Sequence, residues 1–372
     1  MRCPTLAELP SPPPGKTGWP WTEAGLHAPD QTRDESECPR VSVVTPSYNQ
    51  GEFIEETIRS VLLQGYPNLE YIVIDGGSND GSIEIIRTYA PWLDYWVSEP
   101  DQGQVYAIEK GWAKSSGEIL AYLNSDDTYL PNGILKAVSA LRAMPAAAAV
   151  NGGDLIMDRD GIVISERLIP SATWLTLLQF NVIPQPATFV RRQHLEQAGG
   201  LNLQFSHAFD FELWTRLVRF GEIISIPEMI AATRWHSSAK TFSLRPEIAL
   251  ELERIVRQAL EMPEARQIST HDRRVINATL HLWMATIYFD NFAAYPLQAI
   301  SNSWLAIRYW FPIALQLARY FSGRTRVALL YYFLKYVRRR DVQKVPWGFG
   351  RTGVHWSAWR PAPSGTAYAH RD

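Results

Sequence analysis

Residues 41–77, VSVVTPSYNQGEFIEETIRSVLLQGYPNLEYIVIDGG, decide the fold class because their apolar period changes twice. VSVVTP (41–46) is short, β-branched and stopped by Pro46, which is the pattern of a buried strand. EFIEETIRSVLLQ (52–64) then sets Phe53, Ile54, Ile58, Val61 and Leu62 on one helical face. LEYIVIDGG (69–77) reads as a second strand, stopped by two glycines. A strand, a helix and a further strand at this spacing form a βαβ unit with parallel strands.

The alternation continues outward. DGSIEIIRTYA (80–90) reads as a helix opened by Asp80, and DYWVSEPDQGQ (94–104) as a strand running into a loop. Residues 104–115 form an amphipathic helix, GEILAYLNSDD (117–127) a fourth strand, and PNGILKAVSALRAM (131–144) a helix opened by Pro131. The expected class is α/β, a Rossmann-like, mostly parallel sheet flanked by helices, with a helical C-terminal extension.

GGDLIMDRDGIVISE (152–166) reads as a hairpin around Asp160-Gly161, with Asp154, Asp158 and Asp160 solvated. Residues 183–201 give a short strand and a helix ended by Gly199-Gly200. Residues 207–228 give a helix ended by Gly221 and then a strand, and 231–243 read as irregular, carrying His236. Residues 1–39 read as an extended arm, 40–244 as the α/β domain and 245–372 as a mainly helical region with no motif that maps to chemistry.

Open parallel sheets bind ligands outside the carboxyl ends of their strands. Four strand ends here carry polar residues: Thr45 to Asn49, Asp75 to Gly77, Glu99 to Asp101, and Asn124 to Asp127. Asp, Asn and Ser also close turns through their own backbone, and this accounts for any one cluster. It accounts less well for carboxylates ending three of the four strands on one rim. Adjacent carboxylates such as Asp126-Asp127 suit a hard divalent cation such as Mg²⁺, whose shell a substrate diphosphate completes. Asp75 suits the N–H of a pyrimidine base or a ribose. Neither a P-loop nor a Gly-x-Gly-x-x-Gly loop is present, so a metal must supply the countercharge to a phosphate.

Composition narrows the class further. The chain is 46% hydrophobic and 20% charged, a globular composition, and its net charge of −2 carries no electrostatic footprint for nucleic acid. Cys3 and Cys38 are the only cysteines, which suits a reducing compartment. The N-terminus lacks an apolar core of signal-peptide length, and no apolar run reaches the roughly 18 to 20 residues that span a bilayer, so a cytoplasmic protein is expected. Residues 301–344 interleave aromatic side chains with Arg308, Arg319, Arg324, Arg326, Lys335 and Arg338 to Arg340. That mixture fits either a helix lying on the inner face of the cell membrane or a helical subdomain packed on the α/β domain.

The motifs VSVVTPSYNQGEFIEETIRSVLLQGYPNLEYIVIDGGSNDGS, SEPDQGQVYAIEKGWAKSSGEILAYLNSDD, PATFVRRQHLEQAGG and DFELWTRL occur in this order between residue 40 and about residue 243. This stretch resembles family 2 glycosyltransferases, which have the GT-A fold. The resemblance implies an inverting transferase that takes a nucleotide-diphospho sugar (UDP-, dTDP- or GDP-linked) and a divalent cation, Mg²⁺ or Mn²⁺. It implies an acceptor hydroxyl on a saccharide or lipid-linked saccharide, in polysaccharide, O-antigen or glycolipid assembly. Carried over by position, Thr45, Pro46, Tyr48 and Asn49 form the first wall of the nucleotide pocket. Asp75 contacts the base, and Asp101, Gln102 and Gly103 form the next wall. Asp127 ligates the metal, with Asp126 at the ribose or the metal waters and His236 near the metal or diphosphate. Asp210 corresponds to the catalytic base. Glu212 stands about 200° around a helix from it and cannot face the same site. Many relatives carry a second acidic residue before the base, where this chain has Phe209. A non-catalytic nucleotide- or sugar-binding relative is the alternative, although the chain retains both the Asp126-Asp127 pair and Asp210.

Overall fold

The computed structural model describes residues 3–24, 38–168, 171–179, 183–236, 246–290 and 294–317. Its first four strands are β1 (Val41–Ser47), β2 (Leu69–Asp75), β3 (Tyr95–Ser98) and β4 (Ile119–Tyr122). β1 pairs in parallel with β2 on one side and with β4 on the other, and β2 pairs with β3. Chain order therefore reverses at β1: the sheet grows one way through β2 and β3, then starts again at β4. Such a switch point opens a crevice at the carboxyl ends of its strands, here those of β1 and β4.

Between these strands run α1 (Ile54–Leu62), α2 (Ser82–Tyr89) and α3 (Gln104–Lys114), and α4 (Gly133–Ala143) follows the two-residue strand β5 (Thr128–Tyr129). Alternate residues of a strand point to opposite faces. Val41, Val43, Tyr71 and Val73 accordingly enter one apolar core with α1 and α4, while Val44, Ile72 and Ile74 enter another with α3. Burial on both faces is why β1 and β2 read as nearly continuous apolar runs.

Beyond α4 the sheet becomes mixed. β6 (Ala149–Asp158) and β7 (Val163–Arg167) form the expected hairpin. β8 (Thr188–Arg191) pairs antiparallel with both β4 and β6 and joins the two halves of the sheet. β9 (Ile223–Trp235) pairs in parallel with β6 along almost its whole length. Residues 231–235, expected to be irregular, are thus the end of a long strand. The partner that orders them lies about eighty positions earlier, and a local pattern does not contain it. Asp154 also departs from expectation. It is fully buried, accepting from Arg167 Nε at 2.8 Å and Nη2 at 2.7 Å and from Thr233 Oγ1 at 2.6 Å.

The arm at residues 3–24 is held against α1. The buried Arg59 guanidinium donates to the carbonyls of Pro10, Pro20 and Trp21, and Trp19 Nε1 donates to the Tyr129 carbonyl at 2.9 Å. Trp19 and Trp21 are buried with it. An indole buries on the order of 200 Å², worth about 5 kcal/mol before ordering costs.

The remaining helices are α5 (Trp174–Gln179), α6 (Arg192–Gln197), α7 (Phe209–Leu217), α8 (Pro246–Glu261), α9 (Thr270–Asp290) and α10 (Pro296–Leu317). Residues of α5, α7, α8 and α9 share the apolar core that contains Val44 and Ile74. The region beyond residue 245 is mainly helical where it is described. Among the described residues no helix is long and apolar enough to cross a membrane. Residues 318–344 of the aromatic and basic tail lie outside the described residues.

Candidate active site

A cavity of about 1170 Å³ opens at the carboxyl ends of β1 and β4. Pro46, Ser47 and Tyr48 form one side, with Gly76 and the Asp101–Gln104 loop beside them. Gly76 permits this approach: a Cβ there would stand 3.1 Å from Asp101 Oδ2. Asn124, Ser125, Asp126 and Asp127 line it after β4, and Asp210 lines it from the start of α7. Burial raises the Tyr122 phenol far above its usual range, and the charges of Asp210 and Asp127 raise it further.

Asp127 is buried, and its two oxygens do different work. Oδ1 accepts the backbone N–H of Arg234 at 2.9 Å, and Oδ2 accepts from Asn124 Nδ2 at 3.1 Å. Burial and then the neighbouring Asp126 push its carboxyl well above the usual range, since two like charges in a dry site repel each other. Asp126 is more open and faces His236, with Oδ2 and Nε2 3.0 Å apart. The His236 ring lies against Phe53, centroids 4.9 Å apart. A polar chain supports the end of β4: Gln104 donates to Asn124 Oδ1 at 2.6 Å, and Gln185 donates to the Tyr122 carbonyl at 2.6 Å.

The nearby cations are already engaged. Arg234 Nε donates to the Asp126 carbonyl at 3.0 Å, and its Nη2 pairs with buried Glu56 at 2.6 Å. Arg167 reaches the cavity but is paired with Asp154. An anionic ligand beside Asp126 and Asp127 would thus meet carboxylates whose countercharge the protein does not supply. Carboxylates and an imidazole are hard or borderline donors of the kind a divalent cation takes, but His236 is buried, does not line the cavity and is turned onto Asp126. Among the described residues no three His, Cys, Asp or Glu side chains are gathered into a ready cage.

Not every expected residue reaches the cavity wall. Pro46, Tyr48, Asp101, Gln102, Gly103, Asp126, Asp127 and Asp210 line it. Thr45 is buried, its hydroxyl 3.0 Å from the Tyr71 hydroxyl. Asn49 stands in the left-handed region at φ 52° and ties its loop to Ser78 and Asn79. Asp75 is fully buried and accepts from the Gly77 and Ser78 N–H groups and from the Ser78 and Ser98 hydroxyls. In this geometry its carboxylate organises the rim loop rather than facing a ligand, because short-range donors at positions 77 and 78 capture it first.

Glu212 points away, as expected from helical geometry, and pairs with Arg216 at 2.6 Å. Trp214, four residues after Asp210, is core. Phe209 is buried with its ring 6.0 Å from that of Tyr122, so a packed aromatic precedes Asp210. Sequence reasoning did not single out Arg234, Glu56 or Arg167. The only local trace of Arg234 is a charged residue in an otherwise apolar strand end, ATRWH.

The sequence matches the family model for glycosyl transferase family 2 over residues 42–205. The uncharacterized glycosyltransferase Rv1514c of Mycobacterium tuberculosis is 33% identical over 194 residues, 51% of this chain and 72% of the relative. The chain belongs to glycosyltransferase family 2.

This glycosyltransferase is also 27% identical over 227 residues to TuaG of Bacillus subtilis, covering 56% of this chain and 88% of TuaG, whose name assigns it provisionally to teichuronic acid biosynthesis. S. aureus TarS 1-349, solved in complex with UDP-GlcNAc, aligns with a TM-score of 0.57 at 16% identity over 85% of this chain and 98% of that one. The mannosyltransferase PcManGT from Pyrobaculum calidifontis, solved with GDP-Man and Mn²⁺, aligns at 0.52 and 21% identity over 84% and 91%. These structures share the GT-A fold with the glycosyltransferase described here.

Proposed function

We propose that this glycosyltransferase moves a sugar from a nucleoside diphosphate to an acceptor hydroxyl with inversion at the anomeric carbon, in the assembly of a cell-surface polysaccharide or glycolipid. The observation that carries this reading is one cavity lined by both the acidic pair Asp126-Asp127, from the end of β4, and Asp210, from the start of α7. The nucleotide sugars in the TarS and PcManGT structures and the Mn²⁺ in the latter support the donor class.

In this reading the nucleotide lies against Pro46, Tyr48 and the Asp101–Gly103 loop, over a rim shaped by Thr45, Asn49 and Asp75. Asp127, Asp126 and His236 are the residues that would hold a divalent cation, which when bound supplies Lewis acidity to a departing diphosphate. The Asn124 amide and the Arg234 N–H fix the Asp127 carboxylate, so that its orientation does not have to be found during binding. Asp210 accepts the proton of the acceptor hydroxyl as its oxygen attacks the anomeric carbon from the face opposite the leaving group. The bond to the diphosphate oxygen breaks as the new glycosidic bond forms. Phe209 and Tyr122 keep that side of the cavity apolar, which limits competing attack by water. Membrane contact through residues 301–344 would bring the site to a lipid-linked acceptor.

The deciding experiment is calorimetric titration of UDP, dTDP and GDP with and without Mn²⁺, on the wild type and on Asp127→Ala. Metal-dependent binding that the substitution abolishes is expected. No binding of any nucleotide, or equal binding by Asp127→Ala, overturns the reading. NMR of the released or transferred sugar then reports inversion.

A further inference from the structure

At the start of α7 the amide of Phe211 meets a side chain of the helix itself, donating to Asp210 Oδ1 at 2.7 Å. The N-cap residue of α7 is Ala208, which has no side-chain acceptor for the N–H groups left open at a helix start. The segment that leads into α7, up to and including the N-cap amide, finds its acceptor on α8, some forty positions later. Glu251 Oε2 accepts the Ala208 N–H at 2.8 Å and the His207 N–H at 2.9 Å, and Oε1 accepts the Ser206 N–H at 2.8 Å. Three consecutive amides of the segment leading into α7 thus close on one carboxylate, whose side chain is 15% exposed. Oε1 also accepts from the Ser206 hydroxyl at 3.1 Å and lies 3.5 Å from His207 Nδ1. His207 and Asp210 both line the cavity, and so does Leu252, next to Glu251 on α8.

We infer that Glu251 is a positioning residue for glycosyl transfer: by capping α7 from a different helix, it sets the height and rotation at which Asp210 enters the cavity. The inference rests on the reading of Asp210 as the general base. The physical case is that Asp210 sits in the first turn of α7, where an uncapped helix frays. A general base must stay within hydrogen-bond reach of its proton, and a displacement of about 1 Å is enough to cost a hundredfold in rate. The C-terminal helices are then a working part of the transfer site.

Glu251→Gln separates this from a merely structural role. An amide has one accepting oxygen, so Gln in this place turns an NH₂ group toward donors that Glu251 now satisfies. Amide exchange over 206–212 should rise about tenfold, with 41–75 unchanged. Release of nucleoside diphosphate from UDP-GlcNAc or GDP-mannose should fall about tenfold or more, while nucleotide affinity stays within about twofold. Glu251→Asp keeps the charge on a shorter arm and should recover part of both effects. Wild-type exchange at 206–212 in Glu251→Gln overturns the inference, as does a fall in nucleotide affinity that matches the fall in turnover. Wild-type protein that turns over neither donor sinks the transfer reading instead, and the exchange of residues 206–212 still decides whether Glu251 holds α7.

Discussion

Glu56 Oε2 accepts from Arg234 Nη2 at 2.6 Å, and both side chains are buried. The pair connects the helix after β1 to the end of β9, directly behind the Asp126-Asp127 turn. Glu56 also accepts from Trp21 Nε1 at 3.2 Å, so the N-terminal arm joins the same network. Removing Glu56 leaves the buried Arg234 guanidinium without its carboxylate, held by the Asp126 and Arg159 carbonyls. Glu56→Ala should cost about 3–5 kcal/mol of stability, read by denaturant unfolding. A loss below about 1 kcal/mol would show that solvent reaches Arg234 and that the pair matters little.

Burial and then Asp126 destabilise the charged carboxylate of Asp127, which a cation would stabilise. Asp127→Asn keeps the shape and removes the charge. Nucleotide affinity in Mn²⁺ should drop to the metal-free level of the wild type, measured by calorimetry. Persistence of the Mn²⁺ effect would move the metal to Asp126 and His236 alone.

Asp210→Asn should leave nucleotide affinity within about twofold and lower transfer by about 10² to 10⁴, the usual contribution of a general base. Initial rates of nucleoside diphosphate release, at saturating donor, decide it. Retention of more than about half of the rate would leave Asp210 as a helix-start residue only.

Glu251 carries a prediction for acid stability. Burial alone would raise its carboxyl, but the His207 imidazole and the N–H groups of Ala208, Ser206 and His207 outweigh burial and bring it down to about 2, from 4.5. A depressed carboxyl contributes its full stabilisation above the unfolded value and loses it as pH falls toward the folded one. The difference in stability between wild type and Glu251→Gln should be constant above about pH 5 and shrink between pH 4.5 and pH 2. Chemical unfolding at a series of pH values measures it, and a difference that does not narrow over that window contradicts the bonding seen here.

The sequence by itself determined the α/β class, because the period of its apolar residues is a local property: β-branched runs and helical faces alternate from Val41 to Met144. It also marked Asp126 and Asp127, which stand at a strand end where polar groups gather, while Asp210 was marked by the family resemblance of DFELWTRL. Residues 231–235 were not legible as a strand, and Asp154 was not legible as buried. In both cases the deciding partner, β6 for one and Arg167 for the other, comes from a distant part of the chain. Nor does any periodicity show that Asp75 turns onto its own loop, that Arg234 backs the acidic pair or that Glu251 caps α7. Those relations join groups 2 to 108 positions apart through hydrogen bonds. A hydrogen bond needs its two atoms within about 3 Å and aligned, a condition that only the packed chain meets.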